Sequence, residues 1–173
     1  MLKRFQAMIQ EIENYFSKNE FSEVQRIISA QDSWSFSGQS SDAAEPSFWF
    51  LSLDHNAELL NIFLASIKKN FKFDKIQIMA FYANGQSNGQ CGSFHTDSKD
   101  SNCMTLIYYA NPAWKVEWGG FTVFKNSSGD FLKAICPAPN KAILFPSNIM
   151  HAGFDPTIFY RGLRITIAVK FLI

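Results

Sequence analysis

The sequence predicts a mainly β fold, a jelly roll or barrel flanked by helices at its N-terminal end. Three observations predict it. Apolar residues recur with period 3.6 up to about residue 71 and with period 2 after it. Eight short strand candidates then follow at roughly ten-residue spacing. Aromatic residues make up 16% of the chain, 18 of them Phe, which suits strands and an aromatic-lined interior.

The elements follow in order. Phe5, Met8, Ile9, Ile12, Tyr15 and Phe16 fall on one helical face, so residues 2–18 are expected to form an amphipathic helix. A second short helix is expected over Phe21–Ser29. Ala30–Ser47 is rich in Ser, Asp and Gln and reads as loop, with a short strand at Trp34–Phe36. Asp54 is a candidate cap for a helix from about Asn56 to Asn70, with Leu59, Leu60, Ile62, Phe63 and Ile67 on its buried side. The strand candidates are Lys75–Tyr82, Ser93–Asp97, Met104–Tyr109, Gly120–Lys125, Phe131–Ile135, Ala142–Phe145, Met150–Gly153 and Leu163–Leu172. Between the first two, Ala83–Gly92 holds three glycines and little apolar surface, so it is expected to be a mobile lid beside the site.

Length and charge bound the function. With 173 residues, 47% apolar and 18% charged, the chain reads as one globular domain over residues 1–173, helical support and loop to residue 70 and strands from 71. Sixteen Lys and Arg against fifteen Asp and Glu give a net charge of +1, no field for a phosphate backbone or an anionic membrane. No nucleic-acid or membrane partner is expected. Glu11 and Glu13 stand where a signal peptide would be apolar, and no run approaches a membrane span. Cys91, Cys103 and Cys136 are odd in number and far apart, which supports neither a disulfide framework nor a zinc ribbon; a reducing, cytoplasmic setting is expected.

The chemistry centres on few residues. In the strand read at Phe94-His95-Thr96-Asp97, His95 and Asp97 point to one side, offering an imidazole and a carboxylate to one point. A third ligand is needed, and His151 is the natural candidate. Two histidines and one carboxylate on one side of a metal leave open positions, the facial arrangement of non-haem iron(II) oxygenases. H-x-D alone is a common tripeptide, and His55 lies at a helix start with no partner motif. Arg164 opens the otherwise apolar RITIAVKFLI. A guanidinium at the start of a core strand needs an anion, either an internal Asp or Glu or the carboxylate of a ligand.

These motifs together resemble a known family. IQIMAFYANGQSNGQCG, FHTD, MTLIYYANPAW, EWGGFTVF, PAPNKAILFPSNIMHAG and RITIAVKF occur in the order found in Fe(II)/2-oxoglutarate-dependent dioxygenases, in their prolyl 4-hydroxylase-like branch. The resemblance covers about Ile76 to Phe171. It implies a double-stranded β-helix (jelly-roll) core, with iron(II) bound by His95, Asp97 and His151, and 2-oxoglutarate and dioxygen as cosubstrates. It implies that Arg164 pairs with the distal carboxylate of 2-oxoglutarate, that Tyr109 donates its hydroxyl to it, and that Thr105 and Tyr82 touch the cosubstrate; ordinary strand packing is the other reading of the last two. Trp114 and Trp118 either line the substrate entrance or cover the barrel rim. Lys170 departs from the pattern, standing where many prolyl hydroxylases carry an aromatic residue.

The implied activity is hydroxylation of an unactivated C–H on a prolyl or other peptidyl residue, with release of succinate and CO2. A small-molecule hydroxylase acting on an amino acid or sugar derivative is the alternative. A cupin-like metal module would call for more histidines than this chain has and no core Arg. A nucleic-acid dealkylase would want a basic groove.

Overall fold

The structure, a computed structural model, describes residues 8–40, 46–73, 75–126 and 128–173. Along the chain run β1 (Gln10–Ile12), α1 (Lys18–Ser29), β2 (Ser35–Gly38), β3 (Phe48–Ser52), α2 (Ala57–Phe71), β4 (Gln77–Gln86), β5 (Cys103–Tyr109), a 3-10 turn (Val116–Trp118), β6 (Thr122–Lys125), β7 (Phe131–Ile135), β8 (Ala142–Pro146), β9 (Met150–Gly153) and β10 (Arg164–Leu172). Seven strands form one sheet in the order β1-β8-β5-β10-β4-β3-β2, and three form a second in the order β7-β6-β9. Every pairing is antiparallel. The fold is the expected jelly roll.

Period-2 alternation sorts the large sheet's two faces. Phe81, Ala83, Leu106, Tyr108, Ile167 and Val169 point outward and pack under Val24, Ile27 and Ile28 of α1 and Leu59, Phe63 and Ile67 of α2. Phe63 touches Phe81 and Tyr108 at ring distances of 5.4 and 5.6 Å, which welds α2 to the sheet. The inner face is apolar at one end, where Ile143 and Phe145 of β8 meet Phe124 of β6 and Ile135 of β7. It turns polar along β4 and β10, where the functional residues lie.

The front end departs from expectation. Residues 2–7 of the expected first helix lie outside the described residues, and residues 10–12 are strand, paired with Leu144, Ile143 and Ala142 of β8. Asn140 explains why the helix loses. Its Oδ1 accepts from Phe16 N at 3.0 Å, its Nδ2 donates to Phe16 O at 2.8 Å, and its backbone carbonyl accepts from Tyr15 N at 2.9 Å. Those bonds hold residues 15–16 out of helical conformation and still bury both aromatic rings. The helix begins afresh at Lys18, where Ser17 and Glu20 form a capping box. β3 falls in a stretch given no strand, and β2 sits one residue beyond the expected one. Three of the large sheet's strands therefore come from the segment read as helical support and loop. Asn56, not Asp54, caps α2, accepting from Leu59 N at 3.0 Å. Asp54 instead ties strands, accepting from Phe81 N at 3.0 Å and Ser52 Oγ at 3.1 Å.

Glu11 anchors β1 ionically, 2.6 Å from Lys133 and 3.3 Å from Lys141. Burial pushes its carboxyl up, but the two lysines outweigh that and hold it below the usual value. A depressed carboxyl stabilises the fold above its ordinary pKa and ceases to as pH falls through the lowered one. Glu11→Gln is therefore expected to flatten the acid side of the melting curve, between about pH 5 and 3. The difference should stay under about 1 kcal/mol, because the pair is partly exposed. A variant whose melting temperature falls as steeply as the parent's would remove Glu11 from the acid response. Among the described residues no helix is long and apolar enough to cross a membrane.

Candidate active site

The cavity is built on the inward face of β4, β10 and β5. Tyr82, Asn84 and Gln86 project from β4 opposite Ala168, Thr166 and Arg164 of β10. On the other side of β10, Thr166, Ala168 and Lys170 face Tyr109, Ile107 and Thr105. The small sheet adds His151 from β9.

His95 and Asp97 lie on an irregular segment, not on the expected strand. A single antiparallel bridge fixes it: His95 N donates to His151 O and His151 N to His95 O, both at 2.9 Å. Asp97 N donates to Ser147 O at 2.9 Å. The ligand atoms of His95, Asp97 and His151 all lie within 4.8 Å of one another. His95 Nε2 is 3.5 Å from Asp97 Oδ1, and His151 Nε2 is 3.6 Å from Asp97 Oδ2. Each Nδ1 lies 3.0 Å from a backbone carbonyl, of Ser93 for His95 and of Ile149 for His151. A carbonyl only accepts, so each Nδ1 carries the hydrogen and each Nε2 presents a lone pair to the shared point. Burial drives His151 down to about 4, so its ring is neutral at pH 7. Burial alone would raise Asp97; His95, His151 and Lys170 outweigh it and hold the carboxyl far below its usual range. Two lone pairs and a carboxylate meeting at one point fit a divalent cation.

The surrounding side chains fix that carboxylate. Thr105 Oγ1 donates to Asp97 Oδ2 at 2.7 Å and lies 2.8 Å from Ser147 Oγ. Lys170 Nζ stands 2.7 Å from Asp97 Oδ1 and 5.3 Å from the Tyr82 ring centre. His55 stays on the surface, away from the cluster.

Arg164 lies deeper, 2% exposed. Its Nε donates to Gly120 O at 2.6 Å, Nη1 to Gln86 Oε1 at 2.9 Å and Nη2 to Thr122 Oγ1 at 3.0 Å. All three acceptors are neutral, and among the described residues none of its bonds reaches a carboxylate. Of the two readings of this arginine, the internal ion pair is not realised among the described residues. Gly120 explains the Gly-Gly pair. A Cβ there would lie 2.9 Å from Arg164 Cδ and 2.9 Å from Trp114 Cζ2, and its φ of +71° already disfavours a side chain.

His95, Asp97, His151 and Arg164 line one cavity, with Tyr82, Gln86 and Thr105 on its walls. An outer lobe shares Phe48, Tyr82, Asn84 and Asp97 with it and adds Lys170.

Three expected residues sit elsewhere. Tyr109 does not line the cavity; it lies fully buried beneath Arg164, and its hydroxyl donates to Thr122 Oγ1 at 2.7 Å. Thr122, not Tyr109, lines the cavity beside Arg164. Trp114 and Trp118 line neither lobe and pack on Tyr160 at 4.7 and 4.6 Å. Trp114 backs the arginine through Gly120, so both tryptophans cover the rim. Gln86, Thr122 and Asn84 escaped the sequence reading. Their signal was present: polar Tyr82, Asn84 and Gln86 alternate with Phe81, Ala83 and Gly85, which carries the strand four residues into the supposed lid. The remainder of that lid is tied down. Gln86 Nε2 donates to Gln90 O and Gly153 O, Asn88 Nδ2 to Pro156 O and Gly89 N to Asp155 Oδ2, at 2.6 to 3.0 Å.

The sequence profile of the 2OG-Fe(II) oxygenase superfamily matches residues 78–169, just over half the chain, and takes in His95, Asp97, His151 and Arg164. The chain belongs to that superfamily. No curated protein matches the oxygenase in sequence. Solved structures share its fold. A prolyl hydroxylase from Trichoplax adhaerens, in complex with a hypoxia-inducible factor oxygen-degradation-domain peptide, superposes with a TM-score of 0.70 at 15% identity, covering 99% of this chain and 90% of that one. A prolyl-4-hydroxylase from Pseudomonas putida gives 0.67 at 14% identity, covering 99% and 98%. HygX from Streptomyces hygroscopicus, with nickel and 2-oxoglutarate bound, gives 0.66 at 11% identity, covering 95% and 82%. The oxygenase is an iron(II)- and 2-oxoglutarate-dependent dioxygenase with a prolyl hydroxylase-like fold, and dioxygen is its second cosubstrate.

Proposed function

We propose that His95, Asp97 and His151 hold iron(II), that Arg164 anchors the distal carboxylate of 2-oxoglutarate, and that the enzyme hydroxylates an unactivated C–H of a peptidyl side chain, prolyl foremost. The observation that carries this is a metal-ligand cluster and, in the same cavity, a buried guanidinium with no carboxylate among its hydrogen-bond partners in the described residues. The fold likeness to prolyl hydroxylases supports the substrate side.

The spacing suits a five-carbon dicarboxylate. Gly153 borders the guanidinium, with Nη1 3.5 Å from its Cβ position. His151 lies two residues away on the same strand, about 7 Å of rise. Bound iron(II) supplies the dioxygen activation that couples loss of CO2 from 2-oxoglutarate, leaving succinate, to hydroxylation. Arg164 uses three of its five N–H groups on the protein and keeps two for a ligand. Thr122 Oγ1 accepts from Tyr109 and from Arg164, which leaves its own proton to donate. Tyr109 is thus a positioning residue for Thr122, and Gln86 for the guanidinium. Tyr82 closes the cavity between its two lobes.

The test is anaerobic reconstitution with iron(II) and 2-oxoglutarate, then air, with a library of peptides and metabolites. Succinate release with gain of one oxygen atom on a peptide is expected. Failure to bind 2-oxoglutarate, with no succinate from any mixture, would overturn the proposal. Gln86→Leu should weaken 2-oxoglutarate about tenfold by calorimetry, the loss of one charge-assisted bond that orients Arg164. An unchanged affinity would make Gln86 a strand-tying residue only. The small-molecule reading keeps one supporting observation, a lysine ammonium in the outer lobe.

A further inference from the structure

We propose that Lys170 selects a substrate that carries a carboxylate, so that the C–H to be hydroxylated belongs to a free amino acid or to the acidic end of a peptide chain. This rests on the iron(II) and 2-oxoglutarate assignment above.

The charge inventory of the cavity carries the argument. Among the described residues lining the two lobes, the charged side chains other than the histidines are Asp97, Arg164 and Lys170. With iron(II) and 2-oxoglutarate bound, the dication and Arg164 cancel Asp97 and both cosubstrate carboxylates in full. One positive charge is left over, and it is that of Lys170. Its side chain is only 22% exposed and its carboxylate partner, Asp97, is shared with the metal, so a neutral substrate covering it would bury a site with one net positive charge. A substrate carboxylate removes that cost.

Position agrees with charge. Lys170 and Arg164 share one face of β10 six residues apart, about 20 Å of strand, so Lys170 stands at the mouth and Arg164 at the depth. The cosubstrate held at Arg164 leaves the outer lobe to the substrate. Lys170 has three donors, and Asp97 Oδ1 takes one of them in the metal-free site. Metal binding draws on the same carboxylate and weakens that pairing. A second feature of the lobe fits an amino-acid backbone: Asn84 Oδ1 is buried, has no hydrogen-bond partner among the described residues, and lies on a residue that lines both lobes. It requires a donor, and the N–H beside a main-chain carboxylate supplies one.

The experiment loads the protein with manganese(II) and 2-oxoglutarate under argon and titrates matched acid and amide pairs calorimetrically. The pairs are proline, leucine and glutamate against their α-amides, their N-acetyl forms against N-acetyl amides, and tripeptides ending in these residues against amidated tripeptides. At least one acid should bind tenfold or more tightly than its amide, the ratio should fall to about one in Lys170→Met, and Lys170→Arg should restore it. A purely structural lysine would lower acid and amide together and leave the ratio untouched. Preference for free amino acids over acetylated ones and chain ends identifies the first source; preference for tripeptides identifies the second. Equal binding of acids and amides, or a preference that survives Lys170→Met, overturns the proposal alone. Failure of 2-oxoglutarate to bind in the opening titration overturns it together with the reading it rests on.

Discussion

Replacing Arg164 by methionine should weaken 2-oxoglutarate binding by about two orders of magnitude or more. A buried charge pair between a guanidinium and a carboxylate, truncated on one side, costs about 2–5 kcal/mol, and each 1.4 kcal/mol is tenfold. Here the guanidinium is buried, oriented by Gly120, Gln86 and Thr122, and tied by none of its bonds to a protein carboxylate. Its remaining donors have a ligand anion as their natural partner. Methionine keeps the volume roughly and removes the charge, so the strand should remain in register. Calorimetry on the manganese-loaded protein measures the change. An affinity within threefold of the parent would transfer the anchoring role to another cation, of which Arg161 and Lys170 are the nearest in sequence. Arg161 is exposed and Lys170 sits at the other end of the strand, so neither is expected to serve.

His95→Ala should reduce succinate formation to the background of the metal-free protein. Two ligands remain, and a carboxylate plus one imidazole hold a divalent ion poorly. The choice of His95 over His151 matters. His95 is 22% exposed at the side chain, whereas His151 packs against Phe124 and Phe145 in the small-sheet core. The segment is held by backbone bonds between His95 and His151 and from Asp97 to Ser147, none of which needs the imidazole. An unchanged circular-dichroism melt with stoichiometric metal lost is the expected pattern. A variant that still retains metal through dialysis and turns over would show that the cluster is not the metal site.

Much of the site was readable because local spacing and global placement agree there. Phe131–Ile135 and Met150–Gly153 form as strands over the residues expected, and His95, Asp97 and His151 do converge. What the sequence concealed has a common cause, pairing between distant segments. Gln10–Ile12 looks helical by periodicity, and only its partners in β8, about 130 residues away, make it a strand. Phe48–Ser52 is short and becomes a strand because β4 offers it an edge. Asn84-Gly85-Gln86 has turn composition, yet all three pair with β10, and Asn84 and Gly85 pair with β3 as well. Tyr109 had the right strand and the right face but the wrong depth, one layer below the cavity. Depth is set by how far Arg164 reaches across it, and no local pattern encodes that.

Anchoring of 2-oxoglutarate by Arg164, as proposed, would also make the folded state itself a reporter of metabolism. Without an anion the protein bears the desolvation of a charge that burial already disfavours. Any anion that binds the folded chain and not the unfolded one adds RT ln(1 + [L]/Kd), about 2.7 kcal/mol at a hundredfold excess over Kd. Cells poor in 2-oxoglutarate would therefore hold a larger unfolded fraction of this enzyme and degrade it faster. The pool of a central carbon metabolite would then set the amount of catalyst as well as its rate.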